Sequence, residues 1–199
     1  MTVAALVLAA GSSRRLGQPK QLLAYRGRTL LDASLDVARA ARVDQRFVTV
    51  GGAAPEVLET VNFDGFEVVE SLHHTEGCSS SIVSTIATFD DDVDGFMLLL
   101  GDQPEVTSAT IEQLLAAARA GSVIAVCRYD DGIGHPFWFD QSTFTALADL
   151  HGDKAVWKVI ESGAFPVTEV RVPGTVPLDV DTWEEYEQLL ATTETLEEA

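Results

Sequence analysis

Cysteine is almost missing from this 199-residue chain. Cys78 and Cys127 are the whole supply, too few for a disulfide scaffold, and the reading that follows is a cytoplasmic protein. Basic residues are scarce too: 13 Lys and Arg stand against 31 Asp and Glu, a formal net charge of −18. Nucleic acid and anionic membrane surfaces are negatively charged, so that balance disfavours both as partners. No apolar run approaches the ~20 residues a helix needs to cross a bilayer. The apolar Val3–Ala10 run lacks the preceding positive region of a secretory leader. The sequence has no internal repeat, no low-complexity tract and no linker, which predicts one domain, and its length suffices for a substantial core.

The positive charge that exists is concentrated. Arg14, Arg15, Lys20, Arg26 and Arg28 are five of the 13 basic residues, so an anionic small molecule would be met near the N-terminus. Short apolar runs recur at Val3–Leu8, Phe47–Val50, Phe66–Val69, Phe96–Leu100 and Val123–Val126; these read as buried strands. Between them, Leu31, Leu35 and Ala38, then Ile82, Ile86 and Phe89, then Ile111, Leu114, Leu115 and Ala118 have helical spacing. Strand and helix alternate, which predicts an α/β domain with a mostly parallel central sheet and a ligand site beyond the carboxyl ends of the strands. After Tyr129 the pattern loosens into an apolar Pro136–Phe139 piece, helical segments near Ser142–Leu150 and Lys154–Glu161, and two further short strand candidates. The expected division is a nucleotide-binding part over about 1–128, an acceptor-binding part over about 129–181, and a C-terminal helix over 182–198, with an acidic tail from Thr192 expected to fray.

Directly after the first strand comes Leu8-Ala9-Ala10-Gly11-Ser12-Ser13-Arg14-Arg15-Leu16-Gly17-Gln18-Pro19-Lys20. It is neither a Walker A loop nor a G-x-G-x-x-G dinucleotide turn. Small residues here permit close backbone approach, and amides with Arg15 and Lys20 would make a triphosphate cradle. A second constellation is Gly101-Asp102-Gln103-Pro104 at the end of an apolar strand, where Asp102 is either a turn former or a ligand for magnesium bridging phosphate oxygens. Pro177-Leu178-Asp179-Val180-Asp181-Thr182 supplies two more carboxylates on one side of an extended segment. Asp181 also reads as a helix N-cap with Glu184 three residues on, which leaves Asp179 the slightly favoured ligand.

These segments resemble the nucleotidyltransferases of the molybdenum cofactor cytidylyltransferase and guanylyltransferase type. Their opening motif is Leu-Ala-(Ala or Gly)-Gly followed by Arg-Met-Gly and Lys; here Leu16 replaces the Met. The resemblance implies a Rossmann-like three-layer nucleotidyltransferase fold. It implies that Leu8, Ala9 and Ala10 meet the base and that Gly11, Ser12, Arg15 and Lys20 surround the phosphates. Gly101 and Gln103 would lie by the nucleotide, and Asp102 would hold the metal with Asp179 or Asp181. A Gly-x-Ser-x-Ser pattern assigns Gly77, Ser79 and Ser80 to the nucleotide pocket, although helix capping explains the serines equally well. Cys78 reads as a small packing residue, His73 and His74 as solvated, and Trp138, Trp157 and Trp183 as packing aromatics.

Gly134-His135-Pro136, read as a tight turn, matches the cytidylyltransferase branch and would line the acceptor pocket with Lys154. Ala10 and Gln103 point to cytosine. The resemblance therefore implies Arg15, Lys20 and Asp102 as catalytic residues and Mg²⁺, or alternatively Mn²⁺, as cofactor. CTP and a phosphorylated acceptor, molybdopterin in the first instance, would be the substrates, with a molybdenum hydroxylase receiving the product. The sequence departs from the family at Ala155-Val156-Trp157, where Gly-Ala-Arg is usual. That departure keeps two other readings open: a different acceptor such as a sugar phosphate, and a non-catalytic molybdenum-cofactor-binding chaperone.

Overall fold

The computed structural model describes residues 1–51, 54–71, 78–149, 152 and 155–197. In chain order these contain β1 (Thr2–Ala9), β2 (Ala24–Tyr25), β3 (Arg28–Thr29), α1 (Leu30–Ala40), β4 (Gln45–Val50), α2 (Ala54–Thr60), β5 (Glu67–Glu70), α3 (Cys78–Ile86) and β6 (Val93–Leu100). There follow α4 (Ser108–Arg119), β7 (Ile124–Arg128), β8 (Ile133–Asp140), α5 (Phe144–Ala148), α6 (Ala155–Glu161), β9 (Val167–Arg171) and α7 (Trp183–Glu197).

Seven strands form one sheet in the order β5-β4-β1-β6-β8-β7-β9. All run parallel except β8, which pairs antiparallel with both β6 and β7. The sheet is continuous through β8, so the nucleotide-binding and acceptor-binding parts expected from sequence share it. Side chains of successive strand residues point to opposite faces. Thus Val3, Ala5, Val7 and Ala9 of β1 pack with Leu31 and Leu35 of α1 and with Ile111, Leu114 and Leu115 of α4. Ala4 and Leu6 face the other way, with Ile82 of α3, Leu147 of α5 and Val159 of α6. Helix, sheet and helix make three layers, the expected architecture. Burial on both faces is why β1 and β6, in the middle of the sheet, read as apolar runs.

The apolar Pro136–Phe139 piece is the core of β8, and Trp138 and Phe139 in it are almost completely buried. Of the two late strand candidates one forms, as β9, while residues 172–182 carry no strand. The C-terminal helix expected over 182–198 is α7, which runs to Glu197. A smaller cluster of Leu16, Leu23, Tyr25, Leu30, Val180 and Leu189 lies apart from the two faces. It ties the loop after β1, the β2–β3 hairpin and α7 together beside the carboxyl ends of β1 and β6.

Candidate active site

The loop that leaves β1 is held at several points. Ser13 adopts a left-handed conformation at φ 48°, and its carbonyl accepts from the N–H groups of Leu16 and Gly17 at 3.1 and 3.2 Å. The Ser13 hydroxyl accepts from the backbone N–H of Lys20 at 2.9 Å. Leu16, buried against Val180 and Leu189, pins the middle of the loop to α7; an apolar residue, not Met specifically, is what the position requires. At the start of the loop, the buried Gln21 amide donates to the carbonyls of Ala9 at 2.6 Å and Gly11 at 3.0 Å. The backbone N–H groups of Ala10, Gly11 and Ser12 make no hydrogen bond to any described residue. Free amides beside cations are the ingredients of an anion site.

β6 ends beside this loop. The Gly101 N–H donates to the Leu8 carbonyl at 2.9 Å. A Cβ on Gly101 would lie 2.9 Å from both the Ala9 Cβ and the Leu31 Cδ1, so the close approach requires glycine. The next residue, Asp102, is buried, and its Oδ2 accepts from the Lys20 ammonium at 2.5 Å. The same ammonium donates to Asp181 Oδ1 at 2.8 Å, and Arg15 Nη1 stands 3.7 Å from Asp181 Oδ2. Burial pulls the Lys20 ammonium down, but the Asp102 charge and the hydrogen bonds to Asp102 and Asp181 outweigh it, and the net shift is upward.

The two candidate ligands of the C-terminal segment are thereby separated in role. Asp179 is turned to Gln103, whose amide donates to its Oδ1 at 2.5 Å and to the Pro177 carbonyl at 2.8 Å. Burial, and then the neighbouring Asp102 charge, raise Asp179 to about 6. Asp181 is held down by its hydrogen bond from Lys20, with the Lys20 and Arg15 charges adding to it. Asp181 is not the N-cap of α7. Thr182 takes that place, its hydroxyl accepting from the Glu185 N–H at 3.3 Å while Glu185 accepts from the Thr182 N–H at 2.8 Å. The capping box sits one residue later than the sequence pattern suggested, because Glu185 and not Glu184 reaches back; this frees the Asp181 carboxylate for Lys20 and Arg15.

Among the described residues no group of three His, Cys, Asp or Glu side chains is gathered closely enough to hold a metal outright. Mg²⁺ and ions like it, however, usually take one or two carboxylates and complete their shell with water and substrate phosphates. Asp102 and Asp181 already converge on one cation, and Asp179 is raised partly by Asp102. An all-oxygen donor set with that excess of negative charge fits a divalent ion of this kind.

The resulting cleft, about 630 Å³, is lined by Leu8, Ala9, Ala10, Gly11, Ser12, Arg15, Lys20, Gly101, Asp102, Asp179 and Asp181, eleven residues expected from sequence. Ser13, Arg14, Gln21, Ser81 and Leu100 line it as well. Gln103 does not; its amide is committed to the segment behind Asp179. Ser79 is buried in the first turn of α3, where its hydroxyl accepts from the Gly152 N–H at 3.0 Å, and Ser80 follows it there, outside the cleft lining. Gly77 and Lys154, with His73 and His74, lie outside the described residues.

Gly134, His135 and Pro136 lie in strand β8, not in a tight turn. Between Phe137, which pairs Val126, and Gly134, which pairs Cys127, the register slips, so His135 and Pro136 form a bulge. Because β8 runs antiparallel to β6, the bulge lies at the same sheet edge as Asp102, and bulges of this kind re-aim side chains beside active sites. The His135 ring lies 4.1 Å from that of Phe137, and burial lowers its pKa to about 3. Trp138 donates its ring N–H to the Ser122 carbonyl and Trp157 packs edge-on against Phe137. Trp183 departs from the packing role expected of it: 45% exposed, it touches Tyr186 on the surface of α7.

An amide-lined loop, two cations and convergent carboxylates at the carboxyl edge of a parallel sheet define this protein as a nucleotidyltransferase. The chain belongs to the MobA-like NTP transferase domain family, whose profile matches residues 5–167. It is 29% identical over 193 residues to the purine catabolism protein PucB of Bacillus subtilis, covering 92% of this chain and 93% of that one. It is 27% identical over 197 residues to the nicotine blue oxidoreductase of Paenarthrobacter nicotinovorans, with 94% and 96% covered. The crystal structure of Rv0371c from Mycobacterium tuberculosis superposes with a TM-score of 0.90 at 49% identity, over 96% of this chain and 98% of that one. A second structure of Rv0371c, in complex with manganese, gives a TM-score of 0.85 at 47% identity, with 96% and 99% covered. Among the described residues no helix is long and apolar enough to cross a membrane.

Proposed function

We propose that this protein transfers CMP from CTP to the terminal phosphate of molybdopterin or its metal-loaded form, releasing pyrophosphate, in the cytoplasm. The observation that carries the reading is the convergence of Lys20, Arg15 and Asp102 on the loop with free amides at Ala10–Ser12. Ala10 in the strand-end loop, Gln103 after Asp102, and Gly134-His135-Pro136 support CTP over GTP by resemblance. The manganese complex of Rv0371c supports a divalent ion here, Mg²⁺ or Mn²⁺, held by Asp102 with Asp181 or Asp179. When bound, that ion would neutralise phosphate charge and orient the polyphosphate.

The chain's own residues account for the rest. The Gly11 and Ser12 amides receive phosphate oxygens, joined by the Ala10 N–H at the junction with the base, and Arg15 and Lys20 carry the charge that develops on the leaving pyrophosphate. The acceptor's phosphate oxygen attacks the α-phosphorus in line, forming the new P–O bond as the bond to pyrophosphate breaks. A phosphate monoester is largely ionised near neutral pH, its second pKa being about 6, so no side-chain base is needed. His135, whose ring stays neutral, orients the acceptor without exchanging a proton.

One observation favours a different acceptor. Val156 is buried and Trp157, at the position that carries Arg in the family, packs on Phe137. A sugar phosphate is the second reading. The deciding experiment offers the protein Mg²⁺, each nucleoside triphosphate in turn, and either molybdopterin or a panel of sugar phosphates, with pyrophosphate and product mass measured. CTP-dependent formation of the pterin dinucleotide, abolished in Asp102→Ala, is expected. Preference for GTP would overturn the base, and turnover with a sugar phosphate alone would overturn the acceptor. Tight molybdopterin binding without pyrophosphate release would make the protein a carrier.

A further inference from the structure

Gln21 is polar yet only 4% exposed, in a short turn between Lys20 and Leu22. Its amide nitrogen bonds the carbonyls of Ala9 and Gly11, at 2.6 and 3.0 Å, which flank Ala10. Its own Oε1 is buried and has no partner among the described residues. The amide orientation is fixed by these contacts: flipped, it would set Oε1 against two carbonyl oxygens. In a planar trans peptide the C=O and the following N–H point in opposite directions. Holding the Ala9 carbonyl therefore turns the Ala10 N–H away from Gln21, and holding the Gly11 carbonyl does the same to the Ser12 N–H. Both residues line the cleft, and neither N–H has a partner among the described residues.

We propose that Gln21 is a positioning residue for nucleotidyl transfer: its amide draws two carbonyls out of the phosphate cradle and aims the Ala10 and Ser12 amides at the triphosphate. The inference rests on the reading of this cleft as a triphosphate site. Without the pin, the Ala9 and Gly11 carbonyls are free to rotate into the cradle, where each presents a negative dipole to an anion.

The test compares pyrophosphate and cytidine binding to the full chain, by calorimetry and by ligand-observed NMR. Gln21→Met keeps the volume and removes the donor; Gln21→Glu keeps the shape and replaces the donor with an acceptor. Gln21→Met is expected to weaken pyrophosphate about tenfold or more, as loss of well-aimed donors to a charged group does, while cytidine affinity holds; the melting temperature falls with the two lost hydrogen bonds and is not a criterion. Gln21→Glu is expected to weaken pyrophosphate further. Wild-type pyrophosphate affinity in Gln21→Met would overturn the proposal, and so would equal losses for pyrophosphate and cytidine, which mark a merely structural residue. If Gln21→Met does not fold, Gln21→Ala, whose space admits water, is held to the same two criteria. A wild-type protein that binds neither pyrophosphate nor CTP would instead overturn the triphosphate reading itself.

Discussion

Replacing Lys20 by Met should unbalance the cleft in a way a divalent metal can repair. The Lys20 and Asp102 side chains are 16% and 10% exposed, with the ammonium 2.5 Å from Asp102 Oδ2. Removing one member of a buried pair costs about 3–5 kcal/mol because the other charge is stranded. Asp181 is 53% exposed and open to water, which places the expected loss near the lower figure, about 3 kcal/mol. At roughly 2–4 °C per kcal/mol for a domain of this size, the melting temperature in chelator should fall by about 6–12 °C. The Lys20 pKa is raised above its ordinary 10.5, so its stabilisation is complete below that value and lost as pH rises through the folded-state pKa. The gap between wild type and variant should accordingly hold from pH 6 to 9 and close only above about 10. Millimolar Mn²⁺ should stabilise Lys20→Met more than wild type, where the ion competes with the ammonium; at a hundred times its Kd an ion contributes about 2.7 kcal/mol. Thermal melts with and without Mn²⁺ measure both effects. A variant as stable as wild type in chelator, or a gap that Mn²⁺ leaves unchanged, would refute the reasoning.

Three other perturbations separate the parts of the site. His135, lowered to about 3 by burial, makes the folded state bind fewer protons than the unfolded one between that value and about 6.5, so wild type should lose up to about 2 kcal/mol between pH 8 and pH 5. Urea titrations of wild type and His135→Gln at both pH values should show that component vanish in the variant, and identical slopes would rule it out. Gly101→Ala places a methyl 2.9 Å from Ala9 and Leu31, and prising β1 from β6 should cost about 1–3 kcal/mol together with a raised KM for the nucleoside triphosphate; an unchanged denaturation midpoint would contradict this. Gln103→Leu removes the donor to Asp179, which should cost about 1–3 kcal/mol and weaken Mn²⁺ retention in the presence of a nucleoside triphosphate, as followed by electron paramagnetic resonance.

The sheet and most of the cleft were legible in the sequence for a physical reason. β1 and β6 are buried on both faces, so they appear as apolar runs, and a parallel sheet puts its ligand site beyond their carboxyl ends. The loops at Ala10–Lys20 and Gly101–Asp102 could therefore be found without coordinates. The hairpin of β2 and β3 could not, since two residues per strand are too short to show a period. The direction of β8 was hidden for a related reason: an apolar run reads the same parallel or antiparallel, and here the reversal brings the His135 bulge to the edge occupied by Asp102.

What sequence pattern missed in the site is the set of polar groups that face backbone. Residue type alone puts a glutamine at the surface, and nothing within Pro19-Lys20-Gln21-Leu22 reveals that Gln21 folds back on carbonyls ten and twelve residues earlier. The same holds for Gln103, which reaches Asp179 across 76 residues. These two glutamines own the two buried unpartnered side-chain atoms found among the described residues, Gln21 Oε1 and Gln103 Oε1. Each holds one wall of the cleft through its amide nitrogen and leaves its oxygen unmet. Neither contact shows in local pattern, because each glutamine's partners lie on a different segment that only the fold brings near.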